Sequence, residues 1–261
     1  MILLTGASGY LGKALAQKLS LDKIPFEILQ NSHNSPFRLG DIPNFVQLSK
    51  AQFLIHLAWD KAAVENKTKN DNYVSTIQLI DHCQLHEVKF LFISSYAVLF
   101  SPHTFYGKTK MSIENHVLDN GGYVMRTALV ISEPPGSALR RLLRVQRFLP
   151  FILDRGPKSV YVHTIALAQF TKCCVALVRN YDESALVHNC GMSKPVLLRT
   201  LVAQSGSPHF FVLPVPSTVL KMFVKTLKLL PFAAAAADSI DGLYNSNTES
   251  SDLVGDHDVC G

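Results

Sequence analysis

Cysteine is sparse in this 261-residue chain, and the five present (Cys83, Cys173, Cys174, Cys190 and Cys260) include no Cys-x-x-Cys pair. They read as reduced, structural thiols, with Cys173 and Cys174 packing a core rather than forming a redox couple. Charge of one sign is scarce too. The formal net charge is +5, and basic residues are scattered apart from Arg140, Arg141, Arg144 and Arg147. Charge therefore gives no reason to expect a nucleic-acid partner. The chain has no uninterrupted apolar run of membrane-spanning length. Its closest approach, residues 219–237, is broken by Lys221, Lys225, Lys228 and Pro231. That spacing suits an amphipathic helix packed on a domain, or one resting on a membrane surface, and excludes a spanning segment. The opening MILLTG carries no basic region and no cleavage site, so a cytoplasmic protein is expected. His82 and His86 stand four apart without a third ligand, so no metal site is expected.

What the sequence does contain is alternation. With 48% hydrophobic residues the chain can bury a sizeable core. Short apolar runs at 2–5, 26–29, 53–57, 90–94 and 123–131 alternate with helical patterns near 10–20, 71–83, 105–119 and 137–148. This is the pattern of βαβ units feeding a parallel sheet. The polar end, residues 245–261, is expected to be partly disordered.

Three motifs carry chemistry. LLTGASGYLGKAL, residues 3–15, sets Gly6, Gly9 and Gly12 between the first strand and the first helix. Glycines there permit a tight turn and let the backbone approach a pyrophosphate at a helix N-terminus. ISSYAV, residues 93–98, places serines after the fourth strand, and YGKTK, residues 106–110, sets Tyr106 and Lys110 four apart, on one helix face. A nearby ammonium favours the phenolate of a tyrosine whose ordinary pKa is near 10. An isolated pair of this kind would be a surface tyrosine and a solvated lysine; the other two motifs lift it above that.

Taken together, TGASGYLG, the serine pair and YGKTK resemble the extended short-chain dehydrogenase/reductase superfamily (NAD-dependent epimerases and dehydratases). GDI at 40–42, HLAW at 56–59 and NYVST at 72–76 agree with it. Segments in the second half (134–151, 158–170, 210–227 and 238–255) are similar to nucleotide-sugar 4-epimerases and 4-ketoreductases of bacterial surface-polysaccharide synthesis. The resemblance implies an α/β, Rossmann-like doubly wound parallel sheet with a smaller C-terminal substrate-binding lobe. It implies an NAD(P)-binding domain over 1–175 that contributes to the substrate site around 127–150, a substrate lobe over 176–255 and a tail over 256–261.

By the same resemblance, Tyr106 is the general acid/base, Lys110 tunes it and holds the nicotinamide ribose, and Ser95 bonds the reacting oxygen, with Ser94 as the alternative. The cofactor would meet Gly6, Gly9, Tyr10, Leu11, Gly12, Asp41, Ile42, Leu57, Ala58, Asn72, Lys110, Thr127 and Leu129. The substrate, a nucleotide sugar, would meet Ser95, Tyr96, Ser137 and Arg141. The arginines from 140 to 147 could bind a diphosphate or form a solvated helix face. The implied activity is C4 keto reduction or epimerisation with NADP or NAD, and the resemblance leaves room for a homodimer. NADP is favoured because no carboxylate follows Glu27 in FEILQNSHNSPFR, so nothing there repels a 2′-phosphate. The chain departs from the family in a Ser95–Tyr106 spacing of only 11 positions, in Phe100-Ser101, in Ser137 where asparagine is common, and in a missing Leu-Gly-Trp close. Tyr96-Ala97 after Ser95 leaves no Asp-Glu pair for a dehydratase. A dinucleotide-holding sensor or scaffold without turnover is the competing reading.

Overall fold

Residues Ile2–Thr5 (β1), Phe53–His56 (β3), Lys89–Ser95 (β4) and Tyr123–Thr127 (β5) are buried along almost their whole length, as strands covered on both faces must be. With Phe26–Ile28 (β2) and Val187–Cys190 (β10) they form a six-stranded parallel sheet in the order β10-β5-β4-β3-β1-β2. The computed structural model describes residues 1–60, 70–132, 151–154, 161–180, 186–192, 194–204, 211–214, 218–219, 222 and 225–226. Among them, three further two-stranded sheets pair Leu129–Ile131 (β6) with Thr164–Ala166 (β9), Phe151–Asp154 (β7) with Phe211–Pro214 (β12), and Tyr161–Val162 (β8) with Val196–Leu197 (β11).

The period of two along each strand sends neighbours to opposite cores. Leu4, Ile55, Ile93 and Met125 pack with Leu15 and Leu19 of helix Tyr10–Leu21 (α1) and Phe170 and Cys174 of helix Leu167–Arg179 (α6). Leu3, Leu54, Phe92 and Val124 pack on the other face with Leu79 and Ile80 of helix Asp71–Leu85 (α3) and Ile113 and Val117 of helix Phe105–Asp119 (α5). The short helices Phe45–Ser49 (α2), Ala97–Phe100 (α4) and Leu198–Gln204 (α7) complete the set among the described residues. This is the doubly wound α/β architecture. The chain crosses from β1 to β2 on one side and to β3 on the other, which puts a topological switch point at β1/β3, the usual place for a ligand crevice.

One sequence expectation changes. The apolar run 123–131 is two strands, because the ladder changes partner at Ala128: its N–H bonds Cys190 O, and Leu129 N–H bonds His163 O. The boundary at 175/176 falls inside α6, and β10, beyond it, completes the main sheet beside β5. The helix expected near 137–148 and nearly all of 219–237 lie outside the described residues. No described helix is long and apolar enough to cross a membrane. Cys83, Cys174 and Cys190 are buried thiols, as expected; Cys173 is disulfide-bonded and departs from that expectation.

Candidate functional site

The turn from β1 into α1 is shaped by what it lacks. Gly6 takes a left-handed φ of +67°, and a Cβ there would lie 2.6 Å from Ala58 N; a Cβ on Gly12 would lie 2.1 Å from Gly6 O. Only hydrogens fit at both positions, so the backbone of the turn closes onto the loop after β3. Gly9 caps α1 without a side chain, leaving the first-turn N–H groups of the helix with no side-chain cap. The loop opposite is fixed by a buried polar chain. Leu57 N and Ala58 N both donate to Thr5 Oγ1 at 3.2 Å, which occupies both lone pairs and leaves the hydroxyl to donate to His56 Nδ1 at 2.8 Å. The imidazole proton therefore sits on Nε2 and meets Thr76 Oγ1 at 3.0 Å, whose own hydroxyl donates to Asn72 O. His56 is fully buried and stays neutral: burial first, and then the Lys110 charge, push its pKa down to about 3.

Ser95 stands at the end of the neighbouring strand β4, and Tyr106 and Lys110 stand on α5. Ser95 ends β4, and Ala97 N bonds its Oγ at 3.2 Å as the chain turns into α4. Thr104 starts α5 by accepting from Gly107 N at 3.0 Å, the side-chain cap that a helix N-terminus calls for. Gly107 lets the preceding turn pack closely, since a Cβ there would lie 2.3 Å from Ser101 O. The short Ser95–Tyr106 connection thus folds back on itself and brings the Tyr106 hydroxyl into a hydrogen bond with Ser95. Ser94, the alternative, is buried one position back along the strand.

Lys110 lies one turn further along α5 and is only 5% exposed. Its Nζ donates to Ile93 O at 2.8 Å and lies 4.1 Å from the Trp59 ring centre, 4.3 Å from Phe92 and 5.9 Å from Tyr106. Burial pushes its pKa down to about 7, against the pull of Glu114, a further turn along the helix. Glu114 is itself buried and held bidentately by Arg126 of β5, at 2.7 Å to Nη2. Burial likewise pushes the Tyr106 phenol up, and the Ser95 hydrogen bond only partly offsets it. In the free protein burial thus works against the phenolate expected from the sequence and favours the protonated phenol.

The remaining predicted residues divide. Leu57 and Ala58 touch the glycine turn, and Tyr10, at the start of α1, is hydrogen-bonded to Ser132. Asn72 is fully buried and spends both ends of its amide on the Asp60 backbone, at 2.7 and 3.0 Å, which makes it a loop clamp. Asp41 Oδ2 accepts from Asn31 Nδ2 at 3.1 Å and Arg38 N at 3.0 Å, so its carboxylate folds back beside the end of β2, while Ile42 is exposed. Thr127 is buried at the end of β5, paired in register with Ser95, and Leu129 is half-buried in β6. Tyr96, expected at the substrate, has its ring buried against Phe100 and His163. Ser137, Arg141 and the neighbouring arginines lie outside the described residues. No group of three metal-ligating side chains occurs among the described residues, and the His82 Nε2 that pairs with His86 in sequence bonds Ser49 Oγ at 3.2 Å.

Sequence reasoning did not single out Trp59, His56, Thr5 or Glu114 as site residues. HLAW, quoted only as a family segment, held the first two, and Glu114 follows Lys110 at the same four-residue spacing that links Lys110 to Tyr106.

A parallel doubly wound sheet with a glycine turn at its switch point and a serine, tyrosine and lysine at the carboxyl ends of β4 and on α5 is the arrangement of the extended short-chain dehydrogenase/reductase class. The family model described as the RmlD substrate binding domain matches residues 1–150, more than half of the chain, and the protein belongs to that family. Solved structures agree on the fold. The UDP-glucose 4-epimerase of Thermus thermophilus, in complex with NAD, is 16% identical, covers 82% of this chain and 86% of its own, and superposes with a TM-score of 0.61. The UDP-N-acetylglucosamine 4-epimerase of Bacillus cereus, 16% identical, covers 92% and 97% at 0.57. The ADP-L-glycero-D-manno-heptose-6-epimerase of Helicobacter pylori, also 16% identical, covers 81% and 83% at 0.59. Comparison with curated protein sequences gives no match.

Proposed function

We propose that the protein is an NAD(P)-dependent oxidoreductase or epimerase that acts at C4 of a nucleotide sugar. The observation that carries this reading is the Ser95–Tyr106 hydrogen bond with Lys110 one helical turn away, beside a turn that admits no side chain at Gly6 or Gly12. The glycine turn fits a dinucleotide on its own chemistry: a pyrophosphate would meet the N–H groups of Tyr10, Leu11 and Gly12 at the uncapped start of α1. A nicotinamide cofactor supplies hydride chemistry when bound. The protein's part is to place a proton. Burial keeps that proton on Tyr106, so the phenol serves as the acid when a sugar carbonyl is reduced and as the base in the reverse direction. Ser95, bonded to the same hydroxyl, orients the oxygen that receives the proton, and Lys110 carries the positive charge that offsets the phenolate left behind. Two of the structural neighbours named above are UDP-sugar epimerases, one of them with NAD, which supports both the substrate class and the cofactor class.

On cofactor choice, the sequence argument for NADP rests on a missing carboxylate after β2. Asp41 returns a carboxylate to that loop through Asn31 and Arg38, so the preference loses its basis, and we favour NAD. Calorimetric titration with NAD and NADP decides this: tighter NADP binding would restore the sequence-based preference.

The activity is tested with Tyr106→Phe, which removes the proton carrier and keeps the ring. Turnover on a panel of nucleotide sugars, followed by cofactor absorbance, should fall by ~10²–10⁴-fold with cofactor affinity nearly unchanged. Near-parental turnover in Tyr106→Phe, or binding without turnover across the panel in the parent, would leave only the sensor reading.

A further inference from the structure

Trp59 is the single tryptophan of the chain and sits where two restraints meet. On one side Ala58 N bonds Thr5 Oγ1; on the other Asp60 is clamped at both its N–H and its carbonyl by Asn72. The indole so held presents its face to the Lys110 ammonium at 4.1 Å and meets the Tyr106 ring edge-on, with centres 5.2 Å apart and planes at 83°. The first contact lies well inside the ~6 Å reach of a cation–π interaction, and the second has the geometry aromatic pairs prefer. One side chain therefore touches both members of the pair assigned to the proton and its neighbouring charge.

We propose that Trp59 is a positioning residue of the site, whose indole holds the Lys110 ammonium and the Tyr106 ring in a fixed relation while the loop after β3 stays locked to the glycine turn. The proposal rests on the Ser95–Tyr106–Lys110 reading and deepens it. The surroundings of Lys110 make the contact matter. The charged or titratable groups that face it among the described residues are His56 of β3, which is neutral, and Tyr106 and Glu114 of its own helix, with Glu114 already held by Arg126 of β5. From β4 come only the Ile93 carbonyl and the Phe92 ring. The Trp59 face thus joins the Ile93 carbonyl and the Phe92 ring in stabilising a charge that burial otherwise disfavours, and its edge contact packs against the Tyr106 ring.

The test is spectroscopic and needs no turnover. In protein labelled with ¹³C at lysine Cε, the Lys110 signal is assigned by its loss in Lys110→Met. A ring close above the ammonium displaces that signal upfield, and the signal should titrate with a midpoint about 7. Trp59→Leu keeps an apolar side chain and removes the π face. It should lose the indole's share of the upfield displacement, leaving that of the Phe92 ring, and lower the midpoint by roughly half to one pH unit, the size of a cation–π contribution read as a pKa shift. Trp59→Phe should keep most of both, which guards against a folding defect in the leucine variant. An unchanged displacement and midpoint in Trp59→Leu would overturn the proposal. Full activity in Tyr106→Phe would instead remove the proposed function and leave the Trp59–Lys110 contact standing, so the two failures are distinguishable.

Discussion

Replacing Gly12 with alanine adds one methyl group where the structure has no room for it. An ideal Cβ at that position lies 2.1 Å from Gly6 O, 2.7 Å from Ala7 Cα and 2.8 Å from Gly6 C. All three are backbone atoms, so no rotamer change relieves the clash, and the turn must separate from α1 by roughly an ångström. Overpacking of this kind costs ~1–3 kcal/mol, and rigid neighbours put Gly12→Ala at the upper end. At about 2–4 °C per kcal/mol for a chain of this size, the melting temperature should fall by roughly 6–12 °C. Gly121 supplies the control. It too has φ of +67°, but nothing lies within 4 Å of its Cβ position, so Gly121→Ala carries only the left-handed backbone strain, ~1–2 kcal/mol. Urea denaturation of both variants, with dinucleotide affinity measured alongside, should show Gly12→Ala as the more destabilised and the only one to lose affinity. A Gly12→Ala protein within ~0.5 kcal/mol of the parent, or a Gly121→Ala protein with the larger loss, would refute the steric account.

Two titrations follow from the buried basic side chains. His56 has a folded pKa about 3 against an ordinary value of 6.5, so the unfolded chain binds the extra proton between those limits and stability drains away as pH falls through them, at up to ~1.4 kcal/mol per pH unit. Urea midpoints measured from about pH 7 to 4 should fall less steeply in His56→Gln, and equal slopes would show that His56 is not held neutral. Lys110, pushed down to about 7 from 10.5, acts in a higher window: the unfolded chain binds more protons there, so its contribution to stability rises with pH from about 7 to 10.5. That rise should be absent in Lys110→Met. Glu114 raises the Lys110 pKa, so Glu114→Gln should lower the Lys110 midpoint read by NMR below its parental value.

Much of this protein is local, and what is local was readable in the sequence. Apolar runs of strand length between helical periods give a buried parallel sheet, because a strand covered on both faces has no polar side to display. Glycines three apart at a strand-to-helix turn, and a tyrosine four residues before a lysine, are placed by the geometry of one turn and one helix. What the sequence leaves open is who stands opposite. Thr5 and His56 are 51 positions apart, and they meet only because β1 and β3 are neighbours in register. Asp41 reaches back to the loop after β2 because the chain bridges Asn31 to Pro43, which no strand period announces. Residues 187–190 join the main sheet although the expected domain boundary precedes them, because the open edge of β5 takes a parallel partner whatever its distance in sequence. Tyr96 is one residue from Ser95, yet the turn into α4 sends its ring into the core. Trp59 becomes part of the site only when β3, β4 and α5 converge. Periodicity fixes which way a residue faces along its own element; the order in which the crossovers lay those elements side by side decides what it touches.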